Sequence, residues 1–471
     1  MKISTVFFLL LLLLGCALSK NQNTGTYPTG LIFPLEPAGS RVFKGMNIGP
    51  VARQNGRLFI TTRLGWLYCV NPQDGDVIWS HQADVPWDTP PYGGETGIYA
   101  VSRDNHILKF DFRGAVLWDL EAADPVSSGI SEDSGVVYFG GESGRLHAVD
   151  AGNGKLLWSF PTGGAVRSTP RIFQERIFFG SDEGTLYVLD RNGEEAGRFH
   201  DAGAIREAVA VEGRRVYFGS SDKFMSCADW TRGKGQWKMK SGGEITAPMV
   251  LGEKNLYFTA GNNVLYCLNK ANGTVKWWRK IPSQTSFAPV IVGDKVVVAS
   301  DSPLLTGFNK ETGETAGQFT AQEEITSNPV WSDPHLLISL YHDLDEEGEL
   351  LFLKKAVYVK VDASPDSPQP ANQNIDITAE AVGFYEPEYE FSLQRFVPLS
   401  FGGWPVLIVT ADPSARVVQP FSEENSWAWF PEETGAYVIT VKAKDKKENA
   451  RNQIYYLILP LKEKTGKGDL S

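Results

Sequence analysis

The feature that most constrains this chain is a repeat of about forty residues. Short apolar runs begin at Leu58 (LFI), Ile98 (IYA), Val137 (VYF), Ile177 (IFF), Val216 (VYF), Leu256 (LYF), Val296 (VVV) and Leu336 (LLI), at successive steps of 40, 39, 40, 39, 40, 40 and 40 residues. Eight units in such register mark a repeat architecture, in which each unit buries its apolar faces against its neighbours.

Further columns keep the same period. Asn71, Asp111, Asp150, Asp190, Asp229, Asn269 and Asn309 form one, and Gly75, Gly114, Gly154, Gly193, Gly233, Gly273 and Gly313 another. Four residues after each glycine stands Trp79, Trp118, Trp158, Gly197, Trp237, Trp277 or Gly317. The Asp or Asn side chain can bond the backbone two residues on and start a turn, and the Gly supplies the positive φ that turn needs. The Trp opens the returning strand, where its ring can fill the wedge between neighbouring sheets while its N–H meets a backbone carbonyl. With a short strand after "RSTP" (Arg167–Pro170) or "TSNP" (Thr326–Pro329), each unit holds four strands, as a propeller blade does.

The eighth unit has its strands "LLISL" and "LLFLKK" but no Asp, Gly and Trp columns after them. At the other end, "TGLIFPLE" (Thr29–Glu36) resembles a fourth-strand stretch, with Gly30 for the turn glycine and Phe33 in the Trp place. Residues 30–36 are therefore expected to complete the eighth blade and close the ring, removing open sheet edges. The propeller is expected over residues 28–356. After it, "EYEFSLQRF", "WPVLIVTAD", "SWAWFPEETGAYVITVKAKD" and "IYYLILP" are candidate strands of a β-sandwich over residues 357–461. The polar residues 462–471 read as a disordered tail.

The first residues, "MKISTVFFLLLLLLGC", carry one Lys and an apolar run too short for a stable membrane span, and read as an export signal over residues 1–15. Leu13-Leu14-Gly15-Cys16 is similar to a bacterial lipobox, which implies a lipid on Cys16, a flexible tether over residues 16–27 and an envelope location. Ala17 rather than Asp after that Cys favours outer-membrane sorting, on the periplasmic face or the cell surface. The formal charge of −11 and the lack of a clustered basic face exclude nucleic acid as the expected partner.

The stretch "AVDAGNGKLLW", with Asp150, Gly154 and Trp158, resembles the repeat of PQQ-dependent propeller enzymes, and its siblings show it to be one copy of a repeat signature. The combined lipobox, tether and eight units resemble the BamB family of outer-membrane assembly lipoproteins. "WFPEETGAYVITVKAKD", with Pro431, Gly435 and Tyr437, resembles the end of bacterial immunoglobulin-like domains of the PKD or triple-tyrosine kind. The expected fold class is thus all-β: an eight-bladed β-propeller closed by an N-terminal strand, then an immunoglobulin-like β-sandwich.

These resemblances imply a non-catalytic scaffold for other envelope proteins, β-barrel assembly components among them. A surface adhesin that binds glycan and a PQQ- and Ca²⁺-dependent dehydrogenase are the alternatives. The latter enzymes use an adjacent Cys pair that this chain lacks, and no cofactor, metal or catalytic residue is expected. Cys69, Cys227 and Cys267 each lie two residues before the Asp/Asn column and read as small buried residues, a Cys227–Cys267 link being the alternative. The six His residues show no ligand spacing. "DLDEEG" (Asp343–Gly348) starts like a calcium loop but puts Lys354 at the twelfth position, so an exposed acidic hairpin tip is expected. Arg167 and Arg206, placed at the equivalent of Glu244 and Thr285 in later units, are candidate rim contacts at one mouth of the channel, with solvated rim charges as the alternative.

Overall fold

The structure, a computed structural model, describes residues 33–46, 51–201, 203–245, 247–343, 346–367, 369–384, 387–396, 399–401, 404–406, 416–431, 435–445 and 449–459. Among these, every regular element is a β-strand. The export signal, Cys16, the tether, Gly30 and the tail lie outside the described residues.

Each unit forms an antiparallel sheet. In the third, Ser131–Asp133, Val136–Gly141, Arg145–Asp150 and Leu156–Pro161 pair in sequence order. Six further four-stranded sheets repeat this pattern from Ala52 to Thr320. The middle strands are apolar along their length because both faces are covered, whereas the outer strand of each sheet alternates and faces solvent.

The eighth sheet differs. His335–His342 pairs with Glu347–Lys355, and the outer place is taken by Leu35–Lys44, from Leu35 opposite Lys355 to Lys44 opposite Glu347. The pairing strand therefore begins at the end of the expected segment 30–36 and extends beyond it. Phe33 does not take the Trp place of the eighth unit. It packs against Gly307 and Gly317 of the seventh, where the absence of side chains leaves room for a ring. One apolar cluster joins Leu336, Ile338 and Leu353 of the eighth sheet to Val297 and Leu305 of the seventh, and another joins Leu337 and Phe352 to Leu58 and Val70 of the first.

After Ala356 the forty-residue period gives way to a three-stranded and a five-stranded sheet, beside a short pair Leu399–Phe401 and Trp404–Val406. Tyr358–Ser364, Ile375–Val382 and Ser426–Trp429 form one, and Glu388–Phe396, Arg416–Ser422, Gly435–Lys444, Asn449–Leu459 and the short Gln369–Pro370 the other. Ile375, Ile377 and Trp429 of the first share a core with Phe391, Ile439 and Val441 of the second. Tyr437 is buried there, its ring edge-on to Trp429 at 4.8 Å between centroids.

Candidate functional site

The repeat columns are spent on turns and on the seams between sheets. Asp150 Oδ1 accepts the backbone N–H groups of Gly152 at 2.9 Å and Asn153 at 3.0 Å, and Gly154 sits at φ +72°. Asp190 does the same for Asn192 and Glu194, both at 2.9 Å. Each column Trp then reaches into the next unit. The indole N–H of Trp79, Trp118, Trp158, Trp237 and Trp277 donates to the carbonyl of Phe112, Ala151, Arg191, Lys270 and Lys310, at 3.1, 2.9, 3.0, 3.1 and 3.2 Å. The same rings lie on the next turn glycine: a Cβ on Gly273 would stand 2.5 Å from Trp237, and one on Gly313 2.6 Å from Trp277. Glycine is required there by both its φ and the ring above it.

Opposite these rings in the adjacent strand lie Cys69, Cys227 and Cys267, paired with Trp79, Trp237 and Trp277. All three are free and buried, and burial pushes the thiols up to about 11, 12 and 12. They are protonated at neutral pH and unsuited to nucleophilic chemistry.

Arg167 and Arg206 lie in a ladder of alternating charge. Arg167 forms a two-pronged pair with Glu142, one prong at 2.7 Å, and donates from Nε to Asp182 at 3.1 Å. Arg206 Nε donates to the other Asp182 oxygen at 2.9 Å. Burial opposes ionisation of Asp182, but the hydrogen bonds from Arg206 and Arg167 outweigh it and hold the carboxyl below its ordinary value. Both guanidinium groups remain partly open to solvent, at 39% and 53% exposure, and can receive a partner's carboxylate or carbonyl. Counted from the inner strands, which begin at Arg171, Ala210, Val250 and Val290, these arginines correspond to Thr246 and Ser286 rather than to Glu244 and Thr285.

The segments that carry the arginines run on into a cavity of about 530 Å³. Thr169, Arg171, Ala208 and Met249 line it, together with Glu132 and Asp133. Beside it is Glu207, half-buried, whose carboxyl is pushed up to about 7 by burial. Sequence reasoning missed Glu207, although its column otherwise reads Thr89, Ser128, Ser168, Ala247, Phe287 and Ser327. A lone carboxylate in a column of small or apolar residues was the available signal.

One constellation looks like a hydrolytic triad and is not one. His147 Nε2 lies 3.1 Å and Ser143 Oγ 2.5 Å from the same oxygen of Asp124, so hydroxyl and imidazole both bond the carboxylate rather than each other. Among the described residues no base is placed to activate the Ser, and the group fastens the link between the second and third sheets. Around "DLDEEG", His342 bonds Glu349 at 2.8 Å, while Leu344 and Asp345 lie outside the described residues. Among the described residues, no group of His, Cys, Asp or Glu is arranged to hold a metal.

The family described as "Outer membrane protein assembly factor BamB" matches residues 35–113, 112–225 and 221–343. The chain belongs to the BamB family. BamB of Legionella pneumophila is 29% identical over 22% of this chain and 27% of its own length. Tetrathionate hydrolase of Acidithiobacillus ferrooxidans is 25% identical over 61% of this chain and 50% of its own. The dehydrogenase subunit of the quinone alcohol dehydrogenase of Gluconobacter oxydans is 24% identical over 58% and 33%. The chain thus spans half or less of the length of these relatives. BamB of Moraxella catarrhalis, a crystal structure, superposes with a TM-score of 0.59 at 16% identity, over 67% of this chain and 97% of that one, a likeness of fold. The BamB-type repeats are the PQQ-like propeller sheets described above.

Proposed function

We propose that the protein is a non-catalytic scaffold of the bacterial envelope that holds other proteins during outer-membrane assembly. On this reading the signal spans residues 1–15, and Cys16 carries a lipid that anchors the chain to the outer membrane through the tether 16–27. Residues 28–356 make a closed eight-bladed propeller, residues 357–461 an immunoglobulin-like recognition domain and residues 462–471 a tail. The observation that carries it is the use of the repeat side chains. Asp150, Gly154 and Trp158 and their siblings Trp79, Trp118, Trp237 and Trp277 are committed to turns and seams, which leaves a rigid frame displaying Arg167 and Arg206 at its rim.

The enzyme relatives favour a second reading, a quinone-dependent dehydrogenase, and the cavity tests it. A quinone with three carboxylates needs several cations and a flat platform. The cavity lining offers one cation, Arg171, against the carboxylates Glu132 and Asp133, and no Trp. The lining of this cavity does not fit the group. Gentle crosslinking in native membranes followed by recovery of the protein tests the scaffold: barrel-assembly proteins should be recovered, and fewer with Arg206→Glu. Recovery of none would sink the assembly role, and dye reduction after incubation with PQQ and Ca²⁺ would favour the enzyme.

A further inference from the structure

The outer wall of the propeller is chemically uneven. In the first three sheets the two positions before the column Trp are exposed aliphatics: Val77 and Ile78, Val116 and Leu117, Leu156 and Leu157. The strands Val77–Gln82 and Leu156–Pro161 hold no charged residue but a histidine, and Val116–Glu121 holds two acids. In the fifth and sixth sheets the outer strands are KGQWKMK (Lys234–Lys240) and VKWWRK (Val275–Lys280), which carry six cations and no carboxylate. This concentration lies in a chain of net charge −11.

These cations are not absorbed by internal pairing. Lys234, Lys240, Lys276 and Lys280 are exposed and form no ion pair among the described residues, while Lys238 pairs with Asp201 at 2.5 Å. Trp278 stands among them. Its neighbour Trp277 is buried in the seam, and the alternation of the strand turns Trp278 the other way, to 55% exposure. It is therefore free of the seam duty that occupies the column tryptophans. Val275 beside it is 43% exposed. The two strands belong to adjoining sheets, because Trp237 of the fifth bonds Lys270 of the sixth.

From this we infer that the wall formed by Lys234–Lys240 and Val275–Lys280 docks on the anionic headgroup layer of a lipid membrane. Lys and Arg heads meet lipid phosphates, and an exposed indole settles at the headgroup level, where one end is apolar and the other wet. Charge complementarity selects this occupant. The wall's flexible ammonium groups and single broad ring suit a fluid anionic surface, whereas the aliphatic wall of the first three sheets offers phosphate nothing to bind. Docking is reversible and salt-sensitive, since exposed charges are screened over about 10 Å at 0.1 M salt. It is independent of any acyl chain and of the scaffold role, so either can fail without the other.

The test uses the chain from Ala17 onward, which removes Cys16 and nothing that the structure describes. Vesicles of phosphatidylglycerol should sediment it at low salt and vesicles of phosphatidylcholine should not. At roughly fivefold per cation lost, K276E/K280E should need at least about 25-fold more anionic lipid. Trp278→Ala should need several-fold more, and Leu117→Ser on the other wall no more. Matched thermal melting shows that the variants are folded. Failure to sediment with phosphatidylglycerol, or equal sedimentation of K276E/K280E, overturns the assignment. Binding to a soluble anionic polysaccharide with none to vesicles overturns it as well.

Discussion

The seams between the first and second, second and third, third and fourth, fifth and sixth, and sixth and seventh sheets all use one device, a column Trp laid on the next glycine and bonded to the next carbonyl. The seam from the eighth sheet to the first lays Phe352 on Gly75 instead, and two further seams that lack the Trp are each filled differently. Between the fourth and fifth sheets, where Gly197 stands in the Trp place, Trp230 packs edge-on to Phe178 at 5.5 Å and donates to Gly213 at 3.0 Å. Between the seventh and eighth, Gly317 and Gly307 receive Phe33 from the far end of the chain. The first kind of seam is local and repeated. The second shows that a missing side chain can be replaced from either neighbour, and that the hole itself dictates what fills it.

The largest expected effect is at a repeated seam. Trp277→Ala, at a ring 6% exposed, should cost about 3–5 kcal/mol in chemical denaturation, the range for removing a buried Trp. If the substitute seam is equally well packed, Phe33→Ala should cost about 3 kcal/mol despite its place outside any strand. A cost under about 1 kcal/mol would make the seventh seam weak.

The fourth seam carries a further cost. Ser168 of one unit donates to the Glu207 carbonyl of the next at 2.9 Å, and the Glu207 carboxyl is held up at about 7 by burial. In the unfolded chain it ionises near 4.5. The folded state holds this proton more tightly, so stability from this group is full below about 4.5 and is lost as pH rises to about 7. Glu207→Gln should therefore raise stability at pH 8 by up to about 3 kcal/mol and change little at pH 4, measured by denaturation at both. The smallest effect belongs to the charge ladder: Arg206→Ala should shift stability by about 0–1 kcal/mol, since its pair with Asp182 is partly solvated.

What the sequence made legible follows the same division. The column Asp, Gly and Trp residues act within one unit and its neighbour, so a forty-residue period exposes them. Phe33 acts across almost three hundred residues of chain, and its role depends on the absence of side chains at Gly307 and Gly317, which no local pattern records. Lys109 is a third case. It stands opposite Trp118, where the other units with a column Trp place Cys or Ala, and donates to Thr96 at 2.6 Å and to Ala151 at 2.7 Å. Its ammonium strengthens the seam that Trp118 already makes through Ala151, and the repeat gave no reason to expect a charge there. The charge ladder was half legible: Arg167 and Arg206 stand out in the sequence, but their shared partner Asp182 emerges only when neighbouring loops are brought together.

The central claim is that the repeat side chains and the N-terminal segment together hold one frame. Thermal unfolding of the chain lacking residues 33–44, followed by tryptophan emission, tests it most directly. Loss of Phe33 and of the strand paired with Glu347–Lys355 should lower the midpoint by at least about 10 °C or abolish the cooperative transition. An unchanged midpoint and an unchanged transition would contradict the account.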